Sequence, residues 1–330
     1  MDLDAFTAVH ESQWDRLDAL ARRRTLSGAE ADELLRLYQS ASTHLSMIRS
    51  VAPEGALSAS LSARLARART RFTGARSNFM EDLARFFAVA LPAAFYRLRW
   101  LTLAVGTVFA VVSLLYGLWA ANNPDVVHAL GGDARLKQLV DRDFVNYYSD
   151  NPAASFAGQV WTNNAWIAAQ CVALGITGLF VPVTLYQNAE NVGLTGGVMF
   201  AYGRGDVFFS YILPHGMLEL TAIFIAGAAG LQIFWSWVSP GPRTRLAALA
   251  AEGRSLITVA LGLVLVLLVS GLLEGFVTPS QLPVWAKITL GALALSGYWA
   301  YALTAGRRAF LAGERGDLES SDAGESAAAA

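Results

Sequence analysis

The sequence predicts an all-α protein, a polytopic transmembrane helix bundle with an N-terminal cytoplasmic helical region ahead of it. Two observations carry this. Hydrophobic residues make up 54% of the 330 positions and charged residues only 15%, and the mean hydropathy is +0.40, too apolar for an ordinary soluble domain of this length. The charges are also segregated: Arg, Asp and Glu crowd residues 1–99, and the first long uncharged run begins at Trp100. That start lies too far along the chain for a cleaved signal peptide. A single cysteine, Cys171, excludes a disulfide framework and any Cys-based zinc site, and a formal net charge of −1 gives no case for nucleic acid.

Residues 1–78 read as the cytoplasmic helical region. Phe6, Val9, Trp14, Leu17 and Leu20 recur at helical spacing, and Ser27-Gly28-Ala29-Glu30 forms a capping box that opens a second helix. Pro53 and Gly55 end that helix, and a third is expected over about 57–78, its arginines (Arg64, Arg67, Arg69, Arg71, Arg76) forming a solvated face or, as the alternative, a lipid-headgroup site. Residues 79–99 read as an amphipathic helix at the membrane interface: Phe79, Leu83, Phe86, Phe87, Ala90 and Leu91 make a bulky face, and Pro92 is expected to break it.

The bundle is placed at 100–306, with six expected crossings at 101–121, 165–186, 188–205, 207–238, 255–277 and 285–305. Arg97 and Arg99 precede the first span and no arginine closely follows it, so the N-terminus is assigned to the cytoplasm. Residues 122–162 read as a partly helical external loop. The second span carries a polar seam, Asn163, Gln170, Thr177 and Thr184, with Asn164, Cys171 and Gly178 beside it. A seven-residue repeat keeps these side chains on one face, which suits interhelical hydrogen bonding or a permeation path. Residues 188–205 are short and rich in glycine. They are expected to cross because Arg243, Arg245 and Arg254 mark the next loop as cytoplasmic, and Arg307, Arg308 and Arg315 do the same for the C-terminus; a re-entrant segment is the alternative. Thr278 to Pro283 forms a tight external turn, and 307–330 reads as a disordered cytoplasmic tail, acidic and Ala/Ser-rich from Glu314 onward.

The candidate site lies in the 207–238 helix, where His215 and Glu219 stand one turn apart in apolar surroundings. A charge near the bilayer centre costs at least about 2.5 kcal/mol, so Glu219 is expected to face protein or a wet cavity. Ala222, Ala226 and Gly230 continue that face as a small-residue stripe and, with Gly178, are the expected close-packing positions. The six-span topology brings Asn163, Asn164 and Glu274 to the same depth, which defines an expected intramembrane polar cluster of His215, Glu219, Asn163, Asn164 and Glu274. His-x-x-x-Glu alone provides only two ligands, so no catalytic, cofactor or metal residues are assigned. Three readings follow: a polar lock that supports the bundle or couples it to a partner, a transporter or channel site, and an intramembrane metal-dependent hydrolase.

Several short stretches together resemble the stage II sporulation protein M family: Trp161-Thr162-Asn163-Asn164, Gly175-Ile176-Thr177-Gly178, Asn188 with Gly193, Pro214-His215-Gly216-Met217-Leu218-Glu219, Ala226-Gly227-Ala228-Ala229-Gly230-Leu231 and Glu274-Gly275-Phe276-Val277-Thr278-Pro279. The resemblance covers about 79–305, with one departure at Ala189, where a glycine and a local turn are expected. It implies an integral protein of the bacterial cytoplasmic membrane; a sequence with no phosphate loop, no nucleophile elbow and no metal-ligand set beyond His215, Glu219 and Glu274 points to a non-enzymatic scaffold or assembly factor with no cofactor as the leading expectation. The partners the resemblance implies, besides membrane lipid, are envelope-remodelling proteins such as the stage II sporulation proteins D and P, or a MoxR-type ATPase complex. A homo-oligomer is left open.

Overall fold

The computed structural model describes residues 3–23, 26–52, 55–72, 79–148 and 152–316, and among them there is no β-strand. The chain divides into two compact units, Met1–Asp82 and Leu83–Ala330.

The first unit is three helices, α1 (Leu3–Arg22), α2 (Gly28–Val51) and α3 (Ala56–Phe72). The capping box at Ser27 is present, with the Ser27 hydroxyl accepting from the Glu30 amide and the Glu30 carboxylate accepting from the Ser27 amide. Trp14, Leu17, Leu20, Leu34, Ala41, Ile48, Leu61, Leu65 and Ala68 form a separate core. Exposed ion pairs tie α1 to α2 (Arg16–Glu33) and α1 to α3 (Arg64–Asp15, Arg67–Asp18). The expected end of the third helix, at 73–78, lies outside the described residues.

Inside this unit the His44 ring stacks 4.0 Å from that of His10, and the Trp14 indole N–H donates to His44 Nδ1 at 3.2 Å. Burial, followed by the charge of His10, holds His44 below the ordinary histidine pKa. The unfolded chain therefore takes up that proton more readily than the folded unit, and this contribution to stability is complete above the ordinary value of 6.5 and is lost as pH falls below it. A fragment of residues 1–82 should show a lower thermal midpoint at about pH 5.5 than at about pH 7.5, a range where few other side chains titrate. An unchanged midpoint would contradict the assignment.

α4 (Phe79–Arg85), a π-turn (Phe86–Ala90) and α5 (Leu91–Asn122) run on as one helix, which belongs to the second unit from Leu83 onward. The expected break at Pro92 does not occur. Pro92 has no N–H to offer and its ring would crowd the preceding turn, and the widened turn just before it relieves the crowding, with Leu91 N–H bonding to the Phe86 carbonyl. The connection that follows carries α6 (Pro124–Leu130), α7 (Asp133–Gln138), a π-turn (Leu139–Asp143) and α8 (Phe144–Asn146).

The largest correction concerns the second and third expected spans. In place of helices at 165–186 and 188–205 there are α9 (Ala153–Ala173) and α10 (Phe180–Ala201), separated by a 3₁₀ turn at Gly175–Thr177. Gly178 closes the turn in the left-handed region, φ 71°, where a side chain would also strike the Phe234 ring. Gly178 is thus a reversal point as well as a position of close approach to α11, through Phe234. The polar seam is divided as well: Thr177 caps the turn, donating to the Leu174 carbonyl and accepting from the Phe180 amide, while Asn163 and Gln170 stay on α9 and Thr184 on α10. No turn forms at Ala189. It lies buried in α10, where its carbonyl accepts from the Ser113 hydroxyl at 2.9 Å.

α11 (Gly205–Val238), α12 (Arg245–Leu272) with a terminal π-turn (Leu273–Val277), and α13 (Val284–Tyr301), leading through another π-turn (Ala302–Gly306) into α14 (Arg307–Leu311), complete the unit. The helices Met80–Asn122, Gly205–Val238, Arg245–Val277 and Val284–Leu311 are long and apolar enough to cross a membrane. At 21 and 22 residues α9 and α10 have the length but are less apolar. The tail expectation is corrected in part. Residues 307–311 are helical, and the chain then folds back so that Ser255 and Thr258 donate to the Arg315 and Gly316 carbonyls; 317–330 lie outside the described residues.

α11 is the central helix, with Ala222, Ile225, Ala226 and Ala228 fully buried. A Cβ on Gly230 would lie 2.4 Å from the Cys171 carbonyl oxygen, and one on Gly175 would lie 2.5 Å from the Gly230 Cα. Backbones meet directly there. Gly230→Val should therefore lower the thermal midpoint of the detergent-solubilised protein by several degrees or prevent its accumulation, since two closely packed backbones must separate. Gly253→Ala, in open space inside α12, should leave the midpoint unchanged or raise it slightly.

Candidate functional site

The site is assembled by α11, α12 and the π-turn that ends α12. α9 runs parallel to α11, since Asn164 interacts with Glu219 and Cys171 packs at Gly230. α10 then returns antiparallel, with Val181 at Gly230, Leu185 at Gly227 and Gly196 at Phe208. Against α12, α9 is brought in by two further glycines: a Cβ on Gly271 or Gly275 would lie 3.1 or 2.7 Å from the Ala157 or Ala153 carbonyl oxygen.

Three ionisable side chains meet at this point. One ligand atom each from His215, Glu219 and Glu274 can be chosen so that all three lie within 4.8 Å of one another. His215 is 3% exposed and Glu274 4%; Glu219 is half-buried. His215 and Glu219 share a face of α11 because they are four residues apart. Glu274 reaches them from the π-turn, whose extra residue re-aims the side chains that follow it.

Hydrogen bonds orient two of the three. His215 Nδ1 lies 3.2 Å from the Thr278 hydroxyl, which also lies 3.3 Å from the Leu273 carbonyl, so this hydroxyl fixes the orientation of the ring. His215 Nε2 stands 3.8 Å from Glu274 Oε1, beyond hydrogen-bond reach. Ser270 Oγ lies 3.2 Å from the His215 carbonyl and 3.4 Å from Glu219 Oε2. Glu274 Oε2 is buried with no hydrogen-bond partner among the described residues. Lys287, itself buried, donates to the Thr278 carbonyl at 2.7 Å and stands over the Tyr211 ring.

The Tyr148 ring packs 5.8 Å from that of His215 and 5.2 Å from that of Tyr211. Burial, and next the charge of Glu274, push its phenol above the ordinary tyrosine range.

Of the five residues expected in the cluster, the structure brings together His215, Glu219 and Glu274, with Asn164 interacting with the Glu219 carboxyl. Asn163 does not join them. It is exposed, because the next residue along a helix points about 100° away. Ala222, Ala226 and Gly230 are buried on α11 as expected of close-packing positions. Sequence reasoning overlooked Ser270, Thr278, Lys287 and Tyr148. The first two could have been found, since Ser270, Glu274 and Thr278 recur at steps of four in an apolar run; Lys287 is a lone lysine in a predicted span, while the place of Tyr148 depends on the fold of a long connection.

The family model for stage II sporulation protein M matches residues 105–279, more than half of the chain and every residue of the three-ligand group. The chain belongs to the stage II sporulation protein M family. A second model, Domain of unknown function (DUF8413), matches residues 4–74, which fall in the first unit of this stage II sporulation protein M family member. An uncharacterised protein of the archaeon Methanocaldococcus jannaschii is 33% identical over 100 residues, a match covering 30% of this chain and 55% of that protein. The chain thus spans about half the length of that curated relative. No solved structure matches it.

Glu219→Ala leaves Ser270 and Asn164 facing a void and should lower the thermal midpoint by several degrees, for a loss of about 2 kcal/mol. Glu219→Gln keeps both contacts and should lose less than half as much. Equal losses would show that charge, and not hydrogen bonding, is what Glu219 contributes.

Proposed function

We propose that this member of the family is a non-enzymatic, multi-pass scaffold or assembly factor of the cytoplasmic membrane. In this reading the bundle anchors a complex, and the first unit is the docking module for a soluble partner. The observation that carries the reading is the division of the chain: a three-helix unit with its own core and an exterior laced with ion pairs is joined to an apolar bundle, and each is matched by a different family model. All six long helices cross, with α9 and α10 as the less apolar hairpin, and both termini and the 239–244 connection are cytoplasmic. Arg97, Arg99, Arg243, Arg245, Arg307 and Arg308 support this orientation. By family resemblance the partners are envelope-remodelling proteins or a MoxR-type ATPase complex. The cluster then locks α11 to α12 so that the anchor is rigid.

Full-length protein taken from its native membrane in mild detergent should carry a soluble protein in fixed ratio, and deleting residues 1–78 should release it while the bundle stays in the membrane. Reconstituted bundle showing solute or ion flux, with no partner retained, would favour the transporter reading instead.

A further inference from the structure

The His215–Glu219–Glu274 group is harder to explain as a hydrogen-bonded lock than the rest of the bundle. A lock pairs donors with acceptors. Here His215 Nε2 faces Glu274 Oε1 across 3.8 Å. Neither atom satisfies the other in this buried site, whichever ring nitrogen carries the proton, since such hydrogen bonds end near about 3.2 Å. The second oxygen of Glu274 is also buried and unpartnered. A carboxylate in such surroundings needs a positive partner, and Lys287, the buried lysine beside the site, directs its ammonium to the Thr278 carbonyl at 2.7 Å and makes no ion pair with Glu274 among the described residues.

We propose that His215, Glu219 and Glu274 form a binding site for one divalent first-row metal ion of the zinc type. Two ligand atoms about 2.1 Å from a tetrahedral centre stand about 3.4 Å apart. The 3.8 Å between His215 and Glu274 is near that value, and the widest separation in the group, within 4.8 Å, closes by movement of Glu219, the least buried of the three. An imidazole nitrogen with two carboxylate oxygens suits zinc, manganese or iron(II) better than calcium or magnesium, which prefer all-oxygen shells. Thr278 acts as a positioning residue, donating nothing to the metal but fixing the ring orientation of its histidine ligand. Ser270 does the same for Glu219. The site leaves a fourth position for water, and it is independent of which partner the bundle serves.

Full-length protein is purified in detergent on a tag without histidines, stripped with chelator, loaded with zinc or manganese chloride, and desalted for elemental analysis. About one metal per chain is expected. Glu274→Gln and His215→Ala should each weaken zinc binding about tenfold or more, and Thr278→Val, which leaves all three ligands in place, about tenfold. Glu252→Gln, at the remote ion pair, should bind as the parent does. If stripped and reloaded parent protein holds less than about a tenth of an equivalent of either metal, or if Glu274→Gln binds as tightly as the parent, the carboxyls share a proton instead and the proposal is wrong. Should Glu274→Gln fail to yield a monodisperse protein, Thr278→Val and the parent stoichiometry decide the question.

Discussion

The direct contact of two backbones at Gly230 organises the membrane unit. In a bundle surrounded by apolar surface, burying more apolar area adds little, and close packing of small residues is what draws helices together. Where Gly230 meets Cys171 and Gly175 there is no side chain between the chains. Just past this contact α9 ends, and the chain reverses within a few residues at Gly175–Leu179. α9 is therefore laid along one side of α11 and α10 along another, where α10 packs on α5 through Gly193 and Gly197.

That arrangement delivers the polar groups. With α9 held parallel to α11, Asn164 comes level with Glu219. Gly271 and Gly275 let α12 approach α9, and the π-turn beyond Leu272 swings Glu274 toward His215. One ladder of glycines thus determines both the packing and the place where buried charge accumulates. The group is tied into the bundle from outside as well, through Thr278, Lys287 and the ring of Tyr148.

The first unit obeys different physics. Its core of leucine, isoleucine and tryptophan is covered by ion pairs that stand in solvent, each of small energetic weight. Burial of apolar area is its main source of stability. The two family models match on either side of the boundary between the units, at 4–74 and 105–279. A three-helix module and an apolar helix bundle have been joined in this chain, and the proposed scaffold role follows from the combination rather than from either alone.

Composition and periodicity were sufficient for the all-helical class, the membrane assignment, the capping box at Ser27, the pairing of His215 with Glu219 and the small-residue face of α11. Each is a local property, because one helix turn puts residues four apart on the same side and an apolar run of about 20 residues is long enough to cross. The break at 174–179 was hidden by a seven-residue polar repeat that a straight helix would also have displayed, and the continuation of the helix through Pro92 depended on a π-turn that no residue pattern announces. Glu274 could be nominated from its charge, but its position beside His215 rests on the π-turn and on the glycine contacts of α12 with α9. The orientation of the His215 ring was decided by Thr278, four residues beyond Glu274 and hydrogen-bonded to that histidine from the end of another helix. Local periodicity gives the face on which a residue lies, and only packing gives what that face meets.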